Sequence, residues 1–432
     1  MNRRLAGRIA AIAIPAIITN ITTPLLALSD VAILGHAGSA PLLAAIAVGG
    51  TMFNMLYWLF GFLRMGSSGL TAQACGAGSS TFAVLYRSLL LGVGIGTLMV
   101  VLQRPLLSLL LMLIEADGGT SALASSYYNI CVYGAPATLG MLSLTGWCVG
   151  MQNSRLPMYT SIFINVLNIL LSVWMVFGLG MSIRGVAAGT LTSQWAGFIL
   201  TLYLIRRKYG LRAVPVREWV SGLGHFFRVN LDIMLRTACL IGVTLWFTRT
   251  GASQGDVVLA ANVLLMQFFT FFSFFIDGIA FAGEALVGHY HGARNEEMLR
   301  RCVRYLLVAG FITALVFTVL YAVGSDVAIG LLTTDGAVVD TASEYTLWVL
   351  SIPLMGFMAF TFDGVFIGLT ATRAMLLSMA LATAVYFAVY AATFRAMGNH
   401  GLWLAFVAYL GVRGVCLAVA FIVEPALTRR TR

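Results

Sequence analysis

The chain has 432 residues, of which 60% are hydrophobic and only 10% charged, and its formal net charge is +10. Soluble domains carry about 25% charged residues. A soluble globular protein is therefore excluded, and we predict an all-α polytopic membrane protein.

Twelve apolar stretches of about 20 residues follow one another, each long enough to cross a bilayer as a helix. The predicted spans are 9–35, 42–64, 84–103, 122–147, 158–178, 185–205, 229–249, 257–287, 302–323, 343–367, 375–394 and 401–421. The second span is predicted to end at Arg64, whose long side chain would reach toward the membrane surface.

Basic and acidic residues alternate between the segments that separate the spans. The basic groups are Arg3, Arg4 and Arg8; Arg206, Arg207, Lys208, Arg212 and Arg217; Arg294, Arg300, Arg301 and Arg304; and Arg429, Arg430 and Arg432. The other loops carry Glu115, Asp117, Asp256, Asp326, Asp335, Asp340 and Glu344. Because basic loops stay on the cytoplasmic side, we predict that both termini are cytoplasmic. The excess of basic residues then reflects the orientation of the protein in the membrane and does not indicate nucleic-acid binding.

The two halves of the chain resemble each other at an offset of 216 residues. The matching positions are Ala44-Ala45 with Ala260-Ala261, Gly76-Ala77 with Gly292-Ala293, and Gly185 with Gly401. Six spans per half predict a parallel repeat, with two pseudo-symmetric six-helix lobes around a cleft, as in alternating access. We place the N-lobe (helices 1–6) at 1–205, a basic cytoplasmic linker at 206–228 and the C-lobe (helices 7–12) at 229–432.

The first span contains an acid, Asp30. An ionised carboxylate at the centre of a membrane helix costs roughly 2.5–3.5 kcal/mol, so an acid there indicates a proton or cation site. Protonation would remove this charge, and the cleft would then repack or release a cationic substrate. Pro24 lies six residues earlier and removes a helix hydrogen bond, so we expect a hinge there.

Polar side chains in the fifth and sixth spans are spaced to share helix faces with one another. Asn165 and Asn168 are three residues apart, and Thr190 and Gln194 are four apart. They would either pair with Asp30 or simply hold helices together, and the spacing leaves both interpretations open.

The second half holds more charges within its spans. They are Asp232, Arg236, Asp277, Glu284, Asp363 and Arg413. Because intramembrane charges normally pair, a structural ion-pair network is favoured for Asp232, Arg236 and Arg413. Asp277 and Glu284 share a helix face, and Arg236 could neutralise either of them or Asp363. Asp363 fits a structural role and a coupling role about equally.

Catalytic and metal-binding motifs are missing from the sequence. The cysteines are scattered, His289 and His291 alone are a weak metal signal, and no metal site or cofactor is predicted. There is no nucleotide-binding loop. A transporter of this sequence would therefore draw on an ion gradient.

Several segments resemble the MATE (multidrug and toxic compound extrusion) transporters, and the later ones resemble the DinF branch. They are LSDVAILGH at 28–36, FLRMG at 62–66, TAQACGA at 71–77, FTRTGA at 247–252, GDVVLAAN at 255–262, DGIAFAGEALVG at 277–288, FDGVFIG at 362–368 and GNHGLWLA at 398–405. Together they cover nearly the whole chain.

The resemblance implies two six-helix lobes forming a V-shaped cleft and cation-coupled export of organic, cationic or amphipathic compounds. It implies that Asp30 carries the coupling proton, with Asn168 and Thr190 in its network. The family often has an Asp four residues after that asparagine, whereas this chain has Ser172. Asp363 resembles the acid of sodium-coupled relatives, so Na⁺ stays an alternative to H⁺.

Two other classes compete with a multidrug antiporter. A lipid-linked or polysaccharide flippase of the same superfamily would want basic residues in the cleft, and a membrane-embedded enzyme would need a catalytic constellation. The expected partners are small organic substrates and the lipid bilayer, with no nucleic acid. We expect a monomer in the inner (cytoplasmic) membrane of the cell.

Overall fold

The computed structural model describes residues 3–36, 40–114, 118–215, 217–218 and 222–423. The predicted loop acids Glu115 and Asp117, the C-terminal Arg429, Arg430 and Arg432, and part of the 206–228 linker lie outside these residues. Regular structure in the described ranges is helical throughout. The all-α prediction is confirmed.

Fifteen α-helices are present in the described part of the chain. They are α1 (Arg3–His36), α2 (Ala40–Leu59), α3 (Phe62–Gly76), α4 (Thr81–Val101), α5 (Gln103–Ile114), α6 (Gly118–Cys131), α7 (Ala135–Gly150), α8 (Arg155–Val173), α9 (Ser182–Tyr209), α10 (Leu223–Ala252), α11 (Asp256–Gly292), α12 (Glu296–Leu332), α13 (Gly336–Leu369), α14 (Thr372–Met397) and α15 (Asn399–Val423). A 3₁₀ turn at Val132–Gly134 joins α6 to α7, and a π-helical turn at Trp174–Gly178 follows α8.

Ten helical segments within the described ranges are long and apolar enough to cross a membrane. The predicted spans 122–147 and 185–205 coincide with two further helical segments. The first is interrupted by the 3₁₀ turn, and the second is α9, which carries Thr190, Thr192, Ser193 and Gln194. All twelve predicted spans therefore lie in helical segments of the structure.

The predicted end of the second span at Arg64 is wrong. A turn at Phe60–Gly61 separates α2 from α3, and the helix then continues from Phe62 to Gly76. Arg64 therefore lies inside the helical segment 41–76 rather than at its end. Small residues such as Ser67, Ala72 and Gly76 fill this extension and let it pack closely against other helices.

Two compact units divide the described chain. The N-terminal unit comprises Ile18–Thr71 and Ser79–Phe227. The C-terminal unit comprises the chain up to Ile17, Ala72–Gly78 and the residues from Arg228 onward. The predicted lobe boundaries at 205/206 and 228/229 stay a prediction.

Glycines permit the same close helix packing inside each unit. In the N-terminal unit a Cβ on Gly146 of α7 would collide with the backbone carbonyl of Arg64 in α3. In the C-terminal unit a Cβ on Gly364 of α13 would collide with the carbonyl of Ala280 in α11. Arg64 and Ala280 are 216 residues apart, the predicted repeat offset, and the two glycines are 218 apart. The carbonyl side of this contact therefore follows the repeat offset, whereas the glycine side is displaced from it by two residues.

The repeated Gly-Ala pair at 76–77 and 292–293 lies at a helix crossing within the C-terminal unit. A Cβ on Gly76 would meet the backbone of His289, and a Cβ on Gly292 would meet the backbone of Gln73. Gly76 corresponds to Gly292 and Gln73 to His289 at the 216-residue offset, so each contact is the counterpart of the other. Ala72 likewise lies against its own counterpart, Gly288. The crossing of α3 and α11 therefore has local two-fold pseudosymmetry, which explains why glycine occupies both 76 and 292.

Candidate functional site

Asp30 is a buried acid on α1 within the N-terminal unit. Its residue surface is only 5% exposed. The Thr190 hydroxyl lies close enough to act on the carboxyl as a hydrogen-bond partner. Carboxyl atom Oδ1 is buried and has no hydrogen-bond partner among the described residues. Asp30 is also the only acid in residues 1–114. The first three predicted spans therefore contain no second carboxylate.

Asn168 and Thr190 connect α8 to α9 beside this acid. The Asn168 Nδ2 donates to Thr190 Oγ1 at 2.8 Å, and both residues are buried. Because the Thr190 oxygen accepts this bond, its hydroxyl proton is available to Asp30. The structure thus brings together Asp30, Thr190 and Asn168, three of the residues that the sequence singled out.

Asn165 makes a separate link to α1. Its Nδ2 donates to the backbone carbonyl of Thr22 at 2.7 Å, and the Thr22 hydroxyl lies 3.4 Å from Ser161 Oγ. Asn165 is therefore tied to α1 two turns before Asp30 rather than to Asp30 itself. Pro24 lies between these two contacts on α1, which runs as one helix from Arg3 to His36. The predicted hinge at Pro24 stays a prediction.

Residues of α6, which sequence reasoning missed, complete the surroundings of Asp30. Tyr127 and Cys131 both interact electrostatically with the carboxyl, and Tyr127 also contacts Thr190. They belong to an apolar cluster that includes Ile33 and Leu34 of α1. The only sequence signal was a tyrosine and a cysteine one turn apart in an apolar span, a pattern too common to be informative.

Ser172 occupies the position where relatives often have a second acid. It is fully buried one turn after Asn168, and its hydroxyl packs against Gly189, where a Cβ would approach to 2.6 Å. Ser172 Oγ and Asn168 Oδ1 are, like Asp30 Oδ1, buried without a hydrogen-bond partner in the described structure. The site thus combines a single carboxylate with buried oxygen atoms, which suits a proton or a small hard cation.

Asp363 of α13 is neutralised very differently. Arg236 of α10 and Arg413 of α15 both form ion pairs with its Oδ2, and all three residues are buried. The Arg413 guanidinium also lies over the Phe360 ring, 5.3 Å from its centroid. Asp363 is therefore held between two cations within the C-terminal unit.

The other predicted acids of this half occupy distinct places. Asp277 is half-buried and interacts electrostatically with Arg236 and Arg413, whereas Glu284 is buried further along α11. Asp232 accepts a hydrogen bond from the Thr372 hydroxyl at 2.8 Å. The structure gathers Asp277, Arg236, Arg413 and Asp363 into one charged cluster.

The two histidines at the end of α11 lie on either side of a contact with α1. No group of three His, Cys, Asp or Glu side chains in the described ranges could hold a metal ion. Between them, Tyr290 accepts a hydrogen bond from Arg8 Nη1 at 2.9 Å. This contact anchors the start of α1 within the C-terminal unit.

Comparison with known proteins identifies the family. The MatE family model matches the chain twice, at residues 15–174 and 233–393. The chain belongs to the MatE family. The double match also agrees with the internal repeat, and family membership makes the chain a transporter of the MATE multidrug-efflux type, not an enzyme.

Relatives match over nearly the full length. The chain is 36% identical over 413 residues to DNA damage-inducible protein F of Escherichia coli (strain K12), covering 94% of this chain and 90% of that protein. It is 26% identical to the probable multidrug resistance protein NorM of Acinetobacter baylyi, covering 93% and 92%. These matches confirm the predicted DinF-like MATE family.

Solved structures agree in fold. A crystal structure of MATE in the bent conformation superposes with a TM-score of 0.88 at 19% identity, covering 98% of this chain and 96% of that one. An outward-facing MATE transporter of the MOP superfamily gives a TM-score of 0.85 at 20% identity, covering 98% and 96%. MATE transporters are multi-pass membrane proteins. This chain is one as well, since it belongs to their family and has ten candidate spans in its described residues.

Proposed function

We propose that this chain exports organic cations or amphipathic compounds in exchange for protons, with Asp30 as the protonation switch. The observation that carries the proposal is the contrast between two buried acids. Asp363 is paired with two arginines, whereas the described surroundings of Asp30 offer hydroxyl, amide and thiol groups and no cationic side chain. An acid without a fixed counter-cation can exchange its charge for a proton or a substrate cation.

The buried acceptors around Asp30 favour a proton. Asp30 Oδ1 and Asn168 Oδ1 both lack a donor in the described structure. A proton on Asp30 removes the buried negative charge. It also makes the carboxyl a hydrogen-bond donor, so that a neighbouring buried oxygen could accept from it. Deprotonation restores a negative charge that a cationic substrate can neutralise. Asn168, Thr190 and Asn165 would hold α1 against α8 and α9 during this exchange.

Sodium coupling through Asp363 is less well supported. A Na⁺ ion at Asp363 would have to displace or share the carboxylate with two guanidinium groups, each already within ion-pair distance. We therefore assign Asp363, Asp277, Arg236 and Arg413 a structural role, and we assign the coupling of transport to H⁺ at Asp30. The same arginines are occupied by Asp363 and give no support to a flippase for anionic headgroups.

The remaining features of the proposal concern the whole protein. We propose a monomer in the inner membrane with both termini cytoplasmic, two lobes joined by the 206–228 linker, and a hinge at Pro24. The alternating charge of the loops supports the orientation. A MATE crystal structure is known in a bent conformation, which is compatible with a flexible helix in a protein of this fold.

Dye transport in proteoliposomes tests this function. Purified wild-type protein should move ethidium when a pH gradient is imposed, and Asp30→Asn should reduce movement to the level of empty liposomes, because asparagine cannot exchange a proton. Asp326→Asn is the matched control, since this acid is exposed on α12, and it should transport normally.

Ion replacement separates the alternatives. Movement driven by a sodium gradient that survives in Asp30→Asn would contradict proton coupling at Asp30 and redirect attention to Asp363. A folded wild-type protein that moves no cationic dye under either gradient, but moves a fluorescent lipid between leaflets, would contradict export and favour the flippase.

A further inference from the structure

His400 lies in the first turn of α15, at a junction to which several helices of the C-terminal unit contribute side chains. Its neighbour Asn399 is buried and exchanges two hydrogen bonds with Asn262 of α11, at 2.8 and 2.9 Å. Gln254 Nε2, just after α10, lies 3.4 Å from Asn399 Oδ1, and the Thr393 hydroxyl of α14 lies 3.4 Å from a backbone carbonyl of α15. His400 therefore adds a titratable ring to contacts that α10, α11 and α14 make with uncharged groups.

Two side chains of α13 contact the two ring nitrogens of His400. Trp348 Nε1 lies 3.0 Å from His400 Nδ1, and Glu344 Oε1 lies 3.3 Å from His400 Nε2. Glu344 and Trp348 are four residues apart, so one face of α13 holds both edges of the imidazole. The Tyr345 ring between them in sequence has its centroid 4.7 Å from that of His400. Within the described structure, Glu344 is the one charged side chain in contact with His400.

The indole of Trp348 fixes where the proton of a neutral His400 lies. An indole N–H can only donate a hydrogen bond, so His400 Nδ1 is the nitrogen that accepts and carries no proton. The one proton of the neutral ring is then on Nε2, which faces the Glu344 carboxylate. In this form the ring accepts from Trp348 and donates to Glu344.

A second proton changes both contacts, because Nδ1 is the only nitrogen that can bind it. Two N–H donors, of Trp348 and His400, would then face each other, and the hydrogen bond between them would be lost. On the other edge, the contact with Glu344 becomes a charge-assisted ion pair. The side chains of His400 and Glu344 are 37% and 59% exposed, so protons reach them from solvent. Imidazole is the side chain whose charge changes between about pH 5 and 8.

We propose that protonation of His400 switches the contact between α13 and α15 and thereby adjusts export to the acidity of the extracytoplasmic side. By the topology proposed above, α15 begins on that side of the membrane. In the protonated state Trp348 is released, and His400 is held to α13 by an exposed ion pair that water and salt screen. Acid thus acts on the C-terminal unit without passing through Asp30. The effect on export rests on the proposed function, whereas the switch of the contact does not.

Tryptophan fluorescence of the purified full-length protein in detergent tests the switch without any gradient. The chain has eight tryptophans, so the Trp348 signal is obtained as the difference between wild type and Trp348→Phe. Indole emission depends on the hydrogen bond of its N–H and on a cation beside it, and this difference should change between pH 8 and 5. His400→Gln keeps an acceptor for the indole but cannot take up a proton, and it should abolish the change.

A matched control and a second variant keep the fluorescence test decisive. His225→Gln removes an exposed histidine at the start of α10 and should titrate like wild type. Glu344→Gln should move the fluorescence change to more acidic pH, because the imidazolium loses its anionic partner. A difference signal that is flat with pH, or one that persists in His400→Gln, would overturn the proposal.

Transport at a constant pH difference tests the adjustment of export. In proteoliposomes the pH of both sides is lowered together from 7.5 to 5.5, and ethidium movement is compared in wild type and His400→Gln. Asp30 is present in both proteins, so the ratio of their rates isolates His400. We expect this ratio to change by about twofold or more, and a constant ratio would overturn the regulatory role. If neither protein moves ethidium although the fluorescence change occurs, the proposed export function fails and the switch of the contact is retained.

Discussion

At the level of single residues, the two buried acids differ in what neutralises them. Asp30 has a hydroxyl neighbour, Thr190, whereas Asp363 has the guanidinium groups of Arg236 and Arg413. Burying a charge without a partner is costly. This contrast supports the proposal that Asp30 exchanges a proton, because Asp363 is already paired with two cations.

Thr190→Val should impair export through the loss of one hydroxyl. The change leaves the Asn168 Nδ2 buried without its acceptor, which costs roughly 1–3 kcal/mol, and removes the hydrogen-bond partner of Asp30. We expect slower proton-driven ethidium movement in proteoliposomes. Thr192→Val is the control, because Thr192 is exposed on the same helix and donates only to the Ala188 carbonyl at 2.8 Å. Equal rates of ethidium movement in the two variants would show that the Thr190 hydroxyl does not contribute to proton coupling at Asp30.

Asp363→Asn should destabilise the protein more than it changes its ion preference. Removing one partner of a buried ion cluster leaves charges uncompensated and typically costs about 3–5 kcal/mol. Thermal unfolding in detergent measures this. Glu297→Gln, which breaks an exposed pair with Arg301 at 3.1 Å, should cost less than about 0.5 kcal/mol. An Asp363→Asn protein of normal stability that loses transport would instead indicate a coupling role.

At the level of helices, close packing depends on glycines at related positions. Gly146 and Gly364 each admit a neighbouring backbone carbonyl, and Gly76 and Gly292 exchange contacts at the crossing of α3 and α11. Backbone atoms cannot move aside as a flexible side chain can. A single methyl group at these sites therefore pushes two helices apart.

Gly364→Ala should lower thermal stability, by about 1–3 kcal/mol for an overpacked contact. Gly242→Ala provides the comparison, because Gly242 is exposed on α10 and its Cβ would meet nothing within 4 Å. There alanine should be neutral or stabilise the helix by up to about 1 kcal/mol. Similar melting temperatures for both variants would show that the α11–α13 contact tolerates expansion.

At the level of the whole molecule, loop charge predicts the orientation in the membrane. Alkaline phosphatase, which is active only outside the cytoplasm, should be active when fused after Gly255 and inactive when fused after Lys208 or Arg294. The reason is that the latter two lie in basic segments, which remain cytoplasmic. The reverse pattern would invert the proposed topology and with it the direction of export.

Much of the fold followed from local sequence. Runs of about 20 apolar residues specify spanning helices because backbone groups in lipid must bond within their own segment, and the 216-residue offset exposed the repeat. The span boundary at Arg64 failed because α3 continues through small residues such as Ser67 and Ala72, where lower hydropathy hides a helix stabilised by packing.

The sequence by itself determined which residues are expensive to bury: Asp30, Asn168 and Thr190 in one half, Asp363, Arg236 and Arg413 in the other. Their cost is a property of the side chain in an apolar span. Only the tertiary structure decided their partners: that Thr190 faces Asp30, that Asn165 binds α1 at Thr22, that Tyr127 and Cys131 of α6 surround the acid, and that two arginines converge on Asp363. Those partners come from helices far apart in the chain. Their contacts depend on helix rotation and packing, which no periodicity within one segment can specify.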